Sequence, residues 1–306
     1  MQTVWLFPGQ GSQAVGMGRA LAEQHPRAMA CFERAEARLG WDLRTLAWEG
    51  PEERLTETQH AQVALFVTSA ATVEAWRSLG GPEPDVVAGH SLGEYSALWA
   101  AGAIDFDEAL DLVARRGQLM AGAATGTMAA VLGLPLESLE AVCTACAETV
   151  VVANDNSADQ LVLSGTPAGV AEACERAREA GAKRVVPLTV SGAFHSPLME
   201  VAAEPLARAL HAVTWKTPGV PVVTNVDAQL TREAEAIPDR LARQLASRVR
   251  WADSMRTLRD AGVTTWIEMG PGRVLSGLVK RLDRSLTPLA TDTPERLAEA
   301  LAAVVP

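Results

Sequence analysis

Gly89-His90-Ser91-Leu92-Gly93 has the G-x-S-x-G spacing in which small residues on both sides permit a sharp strand-to-helix turn. Such a turn presents a serine hydroxyl at the carboxyl edge of a sheet, placed to attack a carbonyl carbon. The surroundings agree: Asp85 to Gly89 reads as a short buried strand and Leu92 to Ala101 as a helix. The helix N-terminus, with its dipole and free N–H groups, can hold negative charge on an attacked carbonyl. The bland alternative, a serine that caps a helix between turn glycines, is disfavoured by that matching context. A serine nucleophile needs a base, and histidine, with an ordinary pKa of ~6.5, suits that task near neutral pH. Among the five histidines, His25 and His211 lie on polar helical segments and His60 in a loop before a helix, so all three are expected at the solvated surface. His90 adjoins the serine, and neighbours at a strand end point to opposite sides. His195 remains, in the loop Ser191-Gly192-Ala193-Phe194-His195-Ser196-Pro197-Leu198-Met199.

These residues must be positioned by the elements around them. Short β-branched runs alternate with Ala/Leu/Glu/Arg-rich segments of helical period, the pattern of an α/β protein with a mainly parallel sheet. Thr3 to Phe7 reads as the first strand, followed by a glycine-rich loop and a helix from Arg19 to Leu39 interrupted near Pro26. A further helix is expected over Gln62 to Leu79. From Met128 onward the order becomes strand to Leu134, helix Leu136 to Glu148, strands Val150 to Ala153 and Gln160 to Ser164, helix Pro167 to Ala180 and strand Arg184 to Leu188. This βαββαβ order is ferredoxin-like and predicts a small subdomain inserted in a doubly wound unit. The chain then returns through a helix after His195, a strand at Val220 to Asn225, a helix around Asp239 to Leu245, a strand at Thr265 to Glu268, and the Gly270-Pro271-Gly272 turn before a last helix.

Phe7-Pro8-Gly9-Gln10-Gly11-Ser12-Gln13, Gly89-His90-Ser91-Leu92-Gly93-Glu94-Tyr95, Arg116-Gly117, Ala193-Phe194-His195-Ser196 and Gly270-Pro271-Gly272 occur in one order along the chain. In that order and spacing the chain resembles the malonyl-CoA:acyl carrier protein transacylases over nearly its whole length. The resemblance implies that Ser91 is the acylated serine, His195 its base, and Gln10 and Leu92 the donors of backbone N–H groups to the oxyanion. It implies that Arg116 binds the free carboxylate of malonate, which suits a planar guanidinium able to grip a carboxylate through two parallel bonds. Its neighbour Arg115 points about 100° away on a helix, so only one of the two can face a cleft. Gln62, Asn154 and Asn156 match polar positions near the family's site, with turn or capping roles open for the asparagines. Phe194, before the histidine, and Leu92 match positions that accompany malonyl selection in related polyketide acyltransferases. In Val249-Arg250-Trp251 an arginine replaces the glutamine of many relatives, at the place whose main-chain carbonyl is expected to orient the histidine.

The implied fold is α/β: a large α/β-hydrolase-like subdomain over residues 1–126 and 191–306, with a mainly parallel sheet, and an inserted ferredoxin-like subdomain over residues 127–190. The implied partners are malonyl-CoA as substrate and acyl carrier protein as acceptor, with no cofactor beyond the pantetheine arm that the carrier brings. Carrier proteins are acidic while this chain carries a net charge of -10, so docking needs a local basic surface. Lys183, Arg184, Lys280, Arg281 and Arg284 are the candidates, the last three spaced to share part of one helix face. An ordinary solvated face is the competing account of them.

Composition narrows the remaining classes. An acidic chain without a visible basic patch of size argues against nucleic acid or an anionic membrane as partner. No apolar run reaches the ~18 residues of a membrane-spanning helix, and MQTVWLFPGQG lacks the features of a signal peptide. Four scattered cysteines make no disulfide scaffold, so a cytoplasmic location is expected, and the chain is expected to act as a monomer. Cys143 and Cys146, at i and i+3 of an expected helix, read as packing rather than metal ligands, since no second pair completes a set. Gly9-Gln10-Gly11 falls short of a dinucleotide fingerprint, and no metal or NAD site is expected.

Overall fold

Val4-Trp5-Leu6-Phe7 is an unbroken apolar run, the composition of a strand covered on both faces. In the computed structural model, which describes residues 2–123, 125–190 and 192–305, it lies at the middle of the larger sheet. In chain order the strands are β1 (Thr3–Phe7), β2 (Val86–Gly89), β3 (Thr127–Leu132), β4 (Val150–Ser157), β5 (Gln160–Gly165), β6 (Arg184–Pro187), β7 (Val222–Val223), β8 (Leu230–Thr231), β9 (Thr265–Glu268) and β10 (Leu289–Ala290). The larger sheet has the order β10-β9-β1-β2-β7-β8, parallel except at the β7–β8 pair. Trp5, Phe7, Val87 and Ile267 enter one core and Val4, Leu6, Val86, Ala88 and Trp266 the other, as the two-residue period of a doubly covered sheet requires. The chain leaves β1 toward β2 on one side and later adds β9 on the other. The crevice beyond the carboxyl ends of β1 and β2 is therefore the place where such sheets bind ligands.

The smaller sheet is antiparallel with the order β4-β5-β3-β6, the ferredoxin-like arrangement expected from the sequence. Helices Leu136–Thr144 and Pro167–Glu179 bring Leu139, Val142, Val170, Ala173 and Ala177 into its own core. The first of these stops short of the expected Glu148, so Cys146 lies beyond its end; Cys143 and Cys146 pack partly buried on that core. Residues 1, 191 and 306, which end the expected subdomain ranges, lie outside the described residues. The smaller sheet is tied to the larger unit where Val249 N–H donates to the Ala153 carbonyl at 2.8 Å and Asp155 N–H to the Val249 carbonyl at 3.0 Å.

Several boundaries differ from the sequence expectation. Strand β4 runs four residues past Ala153 through Asn154-Asp155-Asn156-Ser157, a polar stretch accommodated by two register shifts against β5. The helix expected from Gln62 begins at Thr58 and is buried almost all round, so His60 is in its first turn and half-buried rather than in a solvated loop. The strand expected over Val220 to Asn225 pairs only at Val222–Val223. Helix Trp251–Asp260 was not anticipated, and the helix after Gly272 is followed by β10 and a further helix, Pro294–Val304. Among the described residues no helix is long and apolar enough to cross a membrane.

Candidate active site

Ser91 follows β2 with φ 51°, a left-handed conformation that serine adopts at a cost of about 1–3 kcal/mol. Close approach explains the flanking glycines: a Cβ on Gly89 would sit 1.9 Å from the Gly93 carbonyl carbon, and one on Gly93 2.1 Å from the Phe7 oxygen. Only glycine lets helix Gly93–Ala100 start so near the strand ends. The strained turn is held from outside, because Ser91 N–H donates to Asn225 Oδ1 at 2.6 Å.

His195 reaches the serine from the other side of the cleft. Its Nε2 lies 2.7 Å from Ser91 Oγ, and its Nδ1 lies 2.8 Å from the Gln244 carbonyl oxygen. A carbonyl only accepts, so Nδ1 carries the proton and Nε2 presents a lone pair to the serine hydroxyl. Burial, together with the Arg116 charge and His90, pushes the ring pKa down to about 3, which keeps it neutral at physiological pH. The orienting carbonyl is thus that of Gln244, on helix Ile237–Ala246, and not that of Arg250. The Arg250 carbonyl instead accepts from Ser254 at the start of its own helix, and its guanidinium pairs with Asp253.

Arg116 lies on helix Phe106–Gly122, which crosses helix Thr58–Ser78 so closely that a Cβ on Gly117 would come within 2.9 Å of Gln59 Cα. The crossing turns Arg116 inward, 1% exposed, while Arg115 faces solvent. Its Nη1 donates to Gln62 Oε1 at 2.7 Å, and its Nη2 to Gln244 Oε1 and to Ser91 Oγ, each at 3.0 Å. Its hydrogen-bonded partners are neutral oxygens, and Nε–H has none at all. Burial lowers its pKa accordingly. A buried cation next to the serine, hydrogen-bonded only to neutral oxygens and with the nearby Glu94 carboxyl held off beyond Gln244, can take an anion at its free N–H groups.

Beside Ser91 and His195 opens a cleft of about 420 Å³, lined by Gln10 and His90 from the larger unit and by Met128, Asn154, Asn156 and Leu188 from the smaller. Among the described residues the backbone N–H groups of Gln10 and Leu92 have no acceptor, leaving both free for an oxyanion. His90 turns away from Ser91 and bonds Asn156 Oδ1 at 2.8 Å, which gives that asparagine a structural partner. A wider groove of about 720 Å³, bordered by Cys31, Arg34, Trp99 and Phe106, contains no serine–histidine pair, and its arginines are matched by Glu74, Glu83 and Asp107.

Other expected residues fall elsewhere. Gln62 is fully buried behind the guanidinium and touches the cleft only through Arg116. Phe194 packs in the main core, 5% exposed, and is not among the residues lining the cleft. Lys183, Arg184, Lys280, Arg281 and Arg284 are all exposed. However, the helix ends at Leu282, so Arg284 does not share its face, and Arg281 is bonded to both oxygens of Asp159 at 3.0 Å. His211 is exposed beside Asp239, and His25 is half-buried between two helices. Sequence reasoning missed Asn225, Gln244 and the role of Glu94, all buried around the serine. Gln244 had a signal: it is a polar residue on the same helix face as Ile237, Leu241 and Leu245.

The chain is similar to known proteins over nearly its whole length. A family model described as an acyl transferase domain matches residues 4–295. The chain is 48% identical over 303 residues to the malonyl CoA-acyl carrier protein transacylase of Bacillus subtilis, covering 97% of this chain and 95% of that one. It is 44% identical over 305 residues to the Escherichia coli protein of the same name, covering 98% and 99%. Among solved structures it is similar to the malonyl CoA-acyl carrier protein transacylase of Coxiella burnetii, with a TM-score of 0.97, 40% identity and coverage of 100% and 98%. It is also similar to a malonyl-transacylase solved in complex with its type II polyketide-synthase acyl-carrier protein, with a TM-score of 0.96, 42% identity and coverage of 99% and 100%.

Proposed function

The chain belongs to the acyl transferase domain family, and from that membership we propose that it is a malonyl-CoA:acyl carrier protein S-malonyltransferase. The observation that carries this proposal is the position of Ser91 Oγ, 2.7 Å from His195 Nε2 and 3.0 Å from Arg116 Nη2. A nucleophile, its base and a buried cation meet at one atom.

In the first half-reaction Ser91 Oγ attacks the thioester carbonyl of malonyl-CoA as its proton passes to His195 Nε2. The oxyanion is held by the N–H groups of Gln10 and Leu92. The C–S bond then breaks, CoA leaves with the proton from His195, and a malonyl ester remains on Ser91. In the second half the pantetheine thiol of acyl carrier protein gives its proton to His195 and attacks the ester, and Ser91 recovers its hydroxyl. The kinetics are ping-pong, and the scheme uses no redox or metal chemistry. Arg116 binds the malonyl carboxylate, a charged partner in place of the neutral oxygens it bonds directly. Lys183, Arg184, Lys280 and Arg284 are offered as the carrier-facing cations. The setting is cytoplasmic fatty-acid synthesis, with the chain acting as a monomer. The similarity to the polyketide-synthase pair favours a second setting, in which the acceptor is a polyketide carrier. Comparing transfer rates onto the two carriers decides between them.

Competition among malonyl-, methylmalonyl- and acetyl-CoA tests the carboxylate claim. Arg116→Ala should lower kcat/KM for malonyl-CoA by at least ~100-fold, the loss of a charge-assisted pair, while sparing acetyl-CoA. An unchanged malonyl-to-acetyl ratio would remove Arg116 from that role. In the same assay Phe194→Ser should relax discrimination against methylmalonyl-CoA if the ring limits the acyl group. A loss of stability alone assigns Phe194 to packing.

A further inference from the structure

Asn225 is fully buried two residues after β7, and every polar group it has is engaged. Its Oδ1 accepts from Ser91 N–H at 2.6 Å, its Nδ2 donates to the Gly89 carbonyl at 2.7 Å, its N–H donates to Glu94 Oε2 at 3.1 Å, and its carbonyl accepts from Arg250 N–H at 3.0 Å. The side chain therefore bridges the residues on both sides of His90 and pins the turn on which Ser91 sits. Glu94, 2% exposed on the first turn of the following helix, accepts at the same Oε2 from Gln244 Nε2 at 2.8 Å.

These contacts fit one orientation of an amide. A main-chain carbonyl only accepts and a guanidinium only donates, so the Gln244 amide turns its nitrogen toward the Ser91 carbonyl, 2.9 Å away, and toward Glu94 Oε2, which holds it there. Its oxygen is then left facing Arg116 Nη2. The flipped amide would set two donors against each other. Gln244 also receives His195 Nδ1–H at its main-chain carbonyl. Elbow, base and guanidinium thus share one hydrogen-bonded frame whose two outer members touch none of the reacting atoms.

We infer that Asn225 and Glu94 are a positioning pair for acyl transfer, Asn225 holding the Ser91 backbone in its strained turn and Glu94 setting the Gln244 amide that presents Arg116 to the acyl group. The inference rests on Ser91 being the nucleophile. The two arms differ in what they control. The elbow serves any acyl group, whereas the Glu94–Gln244–Arg116 arm adds the guanidinium placement that an acyl group with a carboxylate needs.

The test is single-turnover acylation by malonyl-CoA and acetyl-CoA, with rates referred to active sites titrated by a serine-directed phosphonate. Asn225→Ala should slow both substrates equally and by at least ~10-fold, since small misplacements of reacting groups cost that much or more. Glu94→Ala should lower the malonyl-to-acetyl ratio by at least ~10-fold, and Glu94→Gln, whose amide oxygen can still accept from Gln244, should restore most of it. A structural role alone reduces the titratable fraction and leaves the rate per site and the ratio unchanged, and that result overturns the inference. Should the alanine variants not fold, the near-isosteric Asn225→Asp carries the test: it keeps the acceptor for Ser91 but cannot donate to Gly89. It must slow acylation ~10-fold, and a normal rate overturns the inference. A wild type that is not acylated on Ser91 sinks the underlying mechanism instead, so the two failures are distinguishable.

Discussion

His195 is placed to act as a base without a carboxylate behind it. The Gln244 carbonyl fixes its tautomer, and burial beside Arg116 removes the tendency to pick up a proton from solvent. A neutral ring whose Nδ1 carries the proton leaves Nε2 free to accept the serine proton. Ring 15N shifts of His195 should accordingly remain those of neutral imidazole from pH 8 down to about 5, because its pKa is pushed down to about 3. A protonation midpoint near the ordinary ~6.5 contradicts this account. Ser91 and His195 were legible because each is a chemical type required at a motif position. Gln244 was not, because its contribution to the histidine is a main-chain carbonyl, which leaves no mark on residue type. The position at Arg250 drew attention for a departure from the family pattern, and the structure gives that residue a helix-capping and surface role.

At the scale of elements, the glycine turns after β1 and β2 deliver Gln10 and Ser91 to one sheet edge, and this much follows from a strand–glycine–helix pattern. The polar extension of β4 did not, since Asn-Asp-Asn-Ser has low strand propensity and is carried into the sheet by bulges and the Val249 bridge. Helix Val274–Leu282 shows how a buried acid stands in for a cap: fully buried Glu268 accepts from Leu275 and Ser276 N–H at 3.0 and 2.7 Å. Burial nevertheless raises its carboxyl from 4.5 to about 7, against the pull of those hydrogen bonds. The sign follows from proton counting. Between pH 4.5 and 7 the folded chain holds a proton that the unfolded chain has lost, so stability falls as pH rises through this window. Relative to Glu268→Gln, the wild type should lose about 3 kcal/mol across it, read from urea unfolding at several pH values. A pH-independent difference between the two contradicts the assignment.

The whole molecule is two sheets facing across one cleft. The larger brings Ser91 and Gln10, the connection back from the smaller brings His195, and the smaller brings the wall of Met128, Asn154 and Leu188. The small sheet was readable from the βαββαβ alternation because that order is the ferredoxin-like one, in which β3 pairs with β5 and β6 and not with its neighbour in sequence, β4. The frame around the serine was not, because Asn225 and Gln244 lie 134 and 153 residues from Ser91 and are brought to it only by packing of the whole chain. A net charge of -10 also hides any local surface that meets an acidic carrier. The central claim is that the chain carries malonate on Ser91 between two thiols. The direct measurement is to incubate it with labelled malonyl-CoA, map the label, and then add holo acyl carrier protein. One label per chain on the Ser91 peptide, absent from Ser91→Ala and discharged to the carrier pantetheine, is the predicted result; a label that persists in Ser91→Ala, or that passes to water and not to the carrier, would contradict it.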